Sequence, residues 1–285
     1  MTNFSALLEK CSVCPRNCNV NRLKNELGFC KIGKNPKISA YNLHFGEEPP
    51  ISGTNGSGTI FFTGCNLRCV FCQNYPISQL CNGNEITVEK LAGIMITLQN
   101  QNANNINLVT PTHVVPQIIE AVLLAKNKGL KIPIVYNSGG YEKVETLKLL
   151  KGIIDIYMPD AKYADDRSAE KYSDAKNYSE INKAALKEMY KQVGTLQIKN
   201  DIATKGLLIR HLVLPENIAG SRKVFEFIAK EISPKTYMSI MAQYHPANRT
   251  DEFPELQRKI TDKEYQQVLN WADELGLING WRQEL

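Results

Sequence analysis

The chain has 285 residues, 43% hydrophobic and 22% charged, with a formal net charge of +5 at pH 7. That is enough to bury one barrel-sized core, alone or with a small appendage. No apolar run nears the roughly 18 residues that span a bilayer, and Lys and Arg are scattered among acids with no basic block, so neither a membrane nor a nucleic acid is expected as partner.

The first ten residues lack the basic start and apolar core of a signal peptide, so a cytoplasmic location is expected. The eight cysteines, clustered at ligand spacings, then read as metal ligands more readily than as disulfides. Asn177-Tyr178-Ser179 and Asn248-Arg249-Thr250 match the glycosylation pattern by accident on this view. A slightly basic chain favours, weakly, an anionic substrate.

Residues 1–55 read as a Cys-rich metal-binding module. Cys11, Cys14, Cys18 and Cys30 are four cysteines within twenty residues, with too few apolar neighbours to make a core. Zinc and a second iron-sulfur cluster both suit four thiolates, and two disulfides are the alternative in an oxidised chain. Gly53-Thr54-Asn55-Gly56-Ser57-Gly58 precedes a strand, so it is not a dinucleotide fingerprint.

From residue 56 to residue 285, apolar runs alternate with amphipathic ones. Strands are expected over 59–63, 106–110, 132–137, 153–158, 207–214 and 236–242. Helices are expected over 88–100, 114–128, 141–150, 181–193 and 221–231, with 262–275 after the last strand. Residues 99–107, almost wholly Asn and Gln, read as a solvated linker. Six strand-helix repeats call for an α/β fold with a parallel sheet and right-handed crossovers, an open partial (β/α)6 barrel. Its ligand site belongs at the carboxyl ends of the strands.

Directly after the first of these strands comes Gly64-Cys65-Asn66-Leu67-Arg68-Cys69-Val70-Phe71-Cys72-Gln73-Asn74. Three thiolates spaced C-x3-C-x2-C can hold three irons of a 4Fe-4S cube, and the loop offers no fourth cysteine, which leaves one iron open. A zinc knuckle is the plainer meaning of the same spacing. Cys81 could close the cluster as a fourth ligand, but residues 75–78 would have to fold back, and it is more simply a loop thiol.

The loop resembles the signature of radical S-adenosylmethionine (SAM) enzymes. The resemblance implies that the open iron chelates the amino and carboxylate groups of SAM. It also implies that the reduced cluster passes an electron to the sulfonium, giving methionine and a 5′-deoxyadenosyl radical that abstracts hydrogen from a substrate. Cys69-Val70-Phe71-Cys72-Gln73-Asn74 is similar to the aromatic-x-Cys ending of that family, which implies that Phe71 lies near the adenine and that Asn74 belongs to the cofactor site. With the Cys-x2-Cys-Pro-Arg-x-Cys opening and Ile209-Arg210-His211-Leu212-Val213-Leu214-Pro215, nearly the whole chain resembles an uncharacterised branch similar to pyruvate formate-lyase activating enzyme. That likeness implies a flavodoxin- or ferredoxin-type reductant and either a protein substrate, such as a glycyl-radical enzyme, or a small molecule.

Strand parity then selects residues that face the barrel interior. Ile156, Met158, Asp160 and Lys162 share one face, and a carboxylate and an ammonium two apart can orient a zwitterionic ligand; the duller meaning is a surface ion pair. Arg210 and His211 cannot both sit comfortably in packed layers. Arg210 is assigned to the lumen, where a guanidinium can bridge a carboxylate or ribose oxygens, and His211 to a hydrogen-bonded core position. Met241, Gln243 and His245 share a parity. His245 resembles the strand-end histidine of activating enzymes, though a turn histidine before Pro246 is the alternative.

Thr110-Pro111-Thr112-His113 stands where many radical SAM proteins carry a Gly-Gly-Glu loop. Thr110 or Thr112, or backbone carbonyls, would have to substitute for it. Asn137-Ser138-Gly139-Gly140-Tyr141 ends the third strand with glycines that permit close backbone approach to a ligand. Lys162, Arg210 and His245 are thus the expected catalytic residues, with Phe71, Asn74, Thr110, Asn137, Asp160, Arg210 and Gln243 about the cofactor. The competing class is a non-catalytic electron carrier or scaffold with closed clusters.

Overall fold

A computed structural model describes residues 5–284 of the chain. Its strands are β1 (Lys37–His44), β2 (Ser57–Phe62), β3 (Asn84–Glu85), β4 (Ile106–Val109), β5 (Ile134–Ser138), β6 (Ile156–Pro159), β7 (Gln197–Lys199), β8 (Ile202–Leu212), β9 (Tyr237–Met241) and β10 (Gly280–Arg282). They join in the order β10-β9-β8-β6-β5-β4-β2-β1-β3, with β7 hairpinned onto β8. The run from β2 through β4, β5, β6, β8 and β9 is parallel throughout, and it is the expected open barrel. β1 lies antiparallel on the outer edge of β2, so residues before position 56 extend the sheet.

The alternation of side chains along these strands sorts two cores. Ile106, Leu108, Tyr136, Tyr157, Leu207 and Ile209 point outward into one large apolar cluster beneath the helices. Val135, Ile156, Met158, Leu208 and Tyr237 point inward and pack with Ala203 and with Ile51, which comes from the short helix Pro49–Ser52. Parallel strands covered on both faces are expected to be buried end to end, as β5 and β6 are. The helices start where side chains can cap them: Thr87 accepts from Lys90 N, Asp165 from Ser168 N, and Thr261 forms a capping box with Glu264.

Several boundaries differ from those expected. The helix expected over 141–150 is confined to Val144–Leu149, because Tyr141 and Glu142 are buried and bonded into the barrel mouth. β8 starts at Ile202, five residues before the expected 207, because its polar beginning is held by the β7 hairpin. β1 was not foreseen. Its central Ala40, Tyr41 and Asn42 are exposed in succession, so it carries no alternating apolar signal.

The Asn-rich stretch is not a solvated linker. Asn105 and Asn107 are fully buried. Asn105 Nδ2 donates to Ile51 O at 2.7 Å, and its Oδ1 accepts from Ser57 Oγ at 2.6 Å. Asn104 Nδ2 donates to Ser52 O at 2.6 Å, and Asn107 Nδ2 to Glu47 Oε1 at 3.0 Å. Amides that look like solvated filler are here the clamps that hold the 47–52 segment across the barrel, since a short segment without its own ladder needs side-chain partners for its buried carbonyls. Among the described residues no helix is long and apolar enough to cross a membrane.

Replacing Asn105 with Ala strands the Ile51 carbonyl and the Ser57 hydroxyl, and is expected to cost about 1–3 kcal/mol. Asn100→Ala, on the exposed end of a helix, should stay within about 0.5 kcal/mol of the parent. Urea unfolding of both variants checks the contrast; equal effects would return the Asn-rich stretch to a linker.

Candidate active site

Beyond β2 the chain turns at Gly64, whose φ of +75° lies in the left-handed region and where a Cβ would stand 2.4 Å from Cys30 O. Only glycine lets the cysteine loop pack this closely on the amino-terminal segment. The loop is then pinned from outside: Arg68 N donates to Ser173 O at 3.0 Å, Val70 N to Tyr172 O at 2.9 Å, and Asn66 Nδ2 to Tyr141 O at 2.6 Å. Each of the three loop sulfurs has a hydroxyl or amide beside it. Leu67 N donates to Cys65 Sγ at 3.4 Å, Ser173 Oγ to Cys69 Sγ at 3.0 Å, and Cys72 Sγ lies 3.1 Å from Ser78 Oγ. Burial, with the neighbouring Cys69 and Cys72 adding to it, pushes the Cys65 thiol up to about 12. Burial likewise raises the Cys69 thiol, against the opposing pull of Lys162.

Cys69, Phe71 and Cys72 form one wall of a cavity of about 420 Å3 at the carboxyl ends of the strands, within the size range of small-ligand sites. Phe71 is buried and meets Tyr244 edge to face at 5.9 Å. Asn74 and Gln243 reach the cavity from exposed positions, and Asn137 reaches it from the end of β5.

Across from the cysteines runs a row of charges. Asp160 Oδ1 accepts from Arg210 Nε at 2.8 Å and its Oδ2 from Lys162 Nζ at 2.5 Å, while Arg210 Nη1 lies 3.7 Å from Glu47 Oε2. Burial pushes Asp160 upward, but Arg210 and Lys162 outweigh it and hold the carboxyl below its ordinary range. For Lys162, burial opposes the charge, and Asp160 and Cys69 more than restore it, so the ammonium is held above its ordinary range.

The backbone at Asp160 is fixed as tightly as its side chain. Asn182 Nδ2 bridges Gly140 O and Asp160 O at 2.9 and 3.0 Å, and a Cβ at Gly140 would stand 2.1 Å from Asp160 O. Tyr178 Oη donates toward Gly139 O and Asp160 O and accepts from Lys162 N.

Two expected site residues lie elsewhere. β9 ends at Met241, so its alternation does not carry to His245, which is exposed, lies outside the cavity lining and pairs with Gln73 Nε2 at 3.1 Å. Thr110 turns at φ +60° and leaves the lining to Val109, while Thr112 is bonded to Glu142 Oε1 at 2.5 Å. His211 is buried, with Nδ1 2.6 Å from Ala161 O and Nε2 2.8 Å from Ser221 Oγ, away from the lumen that Arg210 enters.

Cys81 is buried, and its thiol faces the Cys30 and Gln79 carbonyls, each at 3.9 Å. Cys14 and Cys30 are pushed up chiefly by burial, and in both cases the other amino-terminal thiols add to it, so Cys11, Cys14, Cys18 and Cys30 stand in one neighbourhood. Buried Arg22 reaches in beside them, 4.0 Å from Cys11 Sγ. Among the described residues no three His, Cys, Asp or Glu side chains gather as tightly as a single metal ion requires.

Glu47, Glu48, His44 and Trp281 also line the cavity and were not foreseen. Their signal was faint: Glu47-Glu48 before Pro49-Pro50 is an acidic pair in a stretch with no other apparent purpose.

The family model of the radical SAM superfamily matches residues 59–228, from β2 to the helix before β9. The chain belongs to the radical SAM superfamily. It is 34% identical over 281 residues to an uncharacterized protein of Methanocaldococcus jannaschii, covering 95% of this chain and 76% of that one. A second uncharacterized protein of the same organism is 23% identical over 265 residues, covering 86% and 73%.

Among solved structures, HydG, a maturase of the FeFe-hydrogenase, superposes with a TM-score of 0.52 at 13% identity, covering 78% of this chain and 50% of its own. Streptococcus suis SuiB, bound to its precursor peptide SuiA, superposes at 0.53 with 10% identity, covering 77% and 46%. The chain thus spans about half the length of these two structures, which share its fold. Radical SAM membership implies a 4Fe-4S cluster and SAM. The donor set on the loop fits such a cluster: three sulfurs, each with a nearby hydrogen-bonding group, two of them, those of Cys69 and Cys72, at one wall of a ligand-sized cavity.

Glu142 is buried away from that cavity, accepting from Thr112 and from Tyr136 Oη, and burial pushes it up to about 7 despite those bonds. The folded chain therefore keeps a proton that the unfolded chain loses from about pH 4.5, so this group lowers stability as pH rises toward 7. Glu142→Gln should remove that slope, gaining on the parent by about 1–3 kcal/mol between pH 5 and pH 8. Denaturant unfolding at the two pH values measures it; a difference between the proteins that does not change with pH would show that Glu142 is ionised throughout.

Proposed function

We propose that this radical SAM protein cleaves SAM reductively and abstracts hydrogen from a substrate held in the barrel lumen. The observation that carries it is the placing of Cys69 and Cys72 of the C-x3-C-x2-C loop and the Asp160-Lys162-Arg210 row on the same cavity. Cys65, Cys69 and Cys72 would hold three irons of the cluster. When bound, the cluster supplies the electron that breaks a carbon-sulfur bond of SAM, giving methionine and a 5′-deoxyadenosyl radical.

The chain's own residues bind and orient. Phe71 offers an apolar face at the cysteine wall for an adenine, and Asn74, Asn137 and Gln243 offer amides around the same space. Lys162 and Arg210 present cations for a carboxylate or ribose oxygens, and Asp160, already bonded to both, fixes where they point. His245, on the rim beside Gln73, would act only on a group at the mouth.

Both a protein loop, of the kind a glycyl-radical enzyme would present to a relative of pyruvate formate-lyase activating enzyme, and a small molecule suit this chemistry. A flavodoxin- or ferredoxin-type donor would supply the electron in a reducing, cytoplasmic setting. Cys11, Cys14, Cys18 and Cys30 would hold a second metal, zinc or iron-sulfur, with Arg22 as the nearby cation.

Protein reconstituted without air with iron and sulfide, then reduced with SAM, should yield 5′-deoxyadenosine and methionine. Single Ala variants at Cys65, Cys69 or Cys72 should lose the cluster's absorption and at least about a hundredfold of the cleavage rate, roughly 2.7 kcal/mol of barrel-bound transition-state stabilisation. Cys81→Ser should keep both. A loaded cluster that turns over no SAM, or a cluster lost with Cys81, would point instead to a closed electron-carrying centre.

A further inference from the structure

The cavity continues past the charged row to a second carboxylate pair on the segment after β1. Glu47 takes one hydrogen bond from Asn107 on β4 and lies 3.7 Å from Arg210, so it stands deep in the lumen, at the level of mid-strand residues. Glu48 is 2% exposed and lines the same cavity, yet its Oε2 has no hydrogen-bond partner. Leaving a buried carboxylate oxygen unmatched costs several kcal/mol, and Arg210, whose charge reaches Glu48, is paired with Asp160 and Glu47. Two more buried acceptors go unmatched nearby, Asn107 Oδ1 and Ser239 Oγ. Both sit on lumen positions: Asn107 pairs in register with inward Val135, and Ser239 with inward Arg210. All three atoms can accept a hydrogen bond, and all three lack a donor.

The charges point the same way. Three carboxylates, Asp160, Glu47 and Glu48, face two cations, Lys162 and Arg210, both already engaged with acids. Burial, opposed by Arg210 and reinforced by Glu48, pushes Glu47 up to about 7, as expected of an acid short of a counterion. The flanking walls, His44, Phe61 and Trp281, are aromatic and suit the flanks of a cation.

We propose that Glu47 and Glu48 form the substrate's recognition site and bind a primary ammonium or guanidinium group, placing the substrate beneath SAM. This rests on reading the cysteine end of the cavity as the SAM site. The charge-bearing group belongs to either a free amine or a Lys or Arg side chain of a peptide, the chemistry being the same.

The test is calorimetric titration of the cluster-loaded, SAM-saturated chain with pentylamine, with N-acetyl-lysine amide, with N-acetyl-arginine amide and with neutral N-acetyl-norleucine amide. At least one cationic probe should bind roughly tenfold or more tighter than the norleucine compound, equivalent to about 1.4 kcal/mol or more. Pentylamine as the tighter ligand would indicate a free amine, and either charged amide a peptide side chain. Glu48→Gln, which breaks no bond of Oε2, and Glu47→Gln, which keeps an acceptor for Asn107, should each abolish the preference while SAM affinity and cluster absorption stay as in the parent.

The proposal is overturned if charged and neutral probes bind alike to the parent, if the Gln variants keep the preference, or if they lose SAM in equal measure, which would give the pair to the cofactor. Absence of SAM binding in the parent would defeat the SAM assignment instead; the probe comparison, run without SAM, still decides the acidic pair.

Discussion

Asp160 is held between two cations that come from different places in the chain, and the mouth of the barrel is organised around it. Its carboxylate takes Lys162 from two residues on and Arg210 from the neighbouring strand, so the side chains that face the cavity are tied across the gap between β6 and β8. Removing one member of a buried pair leaves the other charged and unmatched, typically at about 3–5 kcal/mol. The arrangement therefore has one stable geometry, and Asn182, Tyr178 and Gly140 fix the backbone beneath it. A preorganised row of charge needs no rearrangement when a zwitterionic ligand arrives.

The amino-terminal segment completes the site as much as the barrel does. Phe29 and Cys30 back the cysteine loop through contacts with Arg68 and Gly64. The 47–52 stretch closes the open side of the lumen, with Ile51 in the inner core and Glu47 reaching Arg210. An open parallel sheet leaves its first edge and its lumen uncovered, and here β1 covers the edge while the following turn fills the lumen. The acids that this turn carries make the inner half of the cavity differ in charge from the half beside the cysteines, so that one pocket can hold two ligands of different character.

The misread Asn-rich stretch shows where residue type misleads. Amide side chains are usually solvated, and a run of them carries no apolar period, so a local pattern cannot distinguish a linker from a clamp. What decides is the presence of unpaired carbonyls nearby, and those of Ile51 and Ser52 belong to a segment about fifty residues earlier. The inward course assumed for His245 failed for a related reason. Period-two alternation holds only while the strand continues, and β9 stops at Met241.

The parallel α/β barrel and its strand order of side chains were legible in the chain itself, because buried strands and covering helices impose periods that survive in any context. The cysteine loop was legible too, since cluster chemistry demands a spacing short enough to be read locally. Only the folded structure could join Glu47 to Arg210, Asn105 to Ile51 and Cys30 to Gly64. Those contacts cross long stretches of sequence, where no periodicity links the partners and only the shape of the sheet brings a charge, an amide or a glycine opposite the group that needs it.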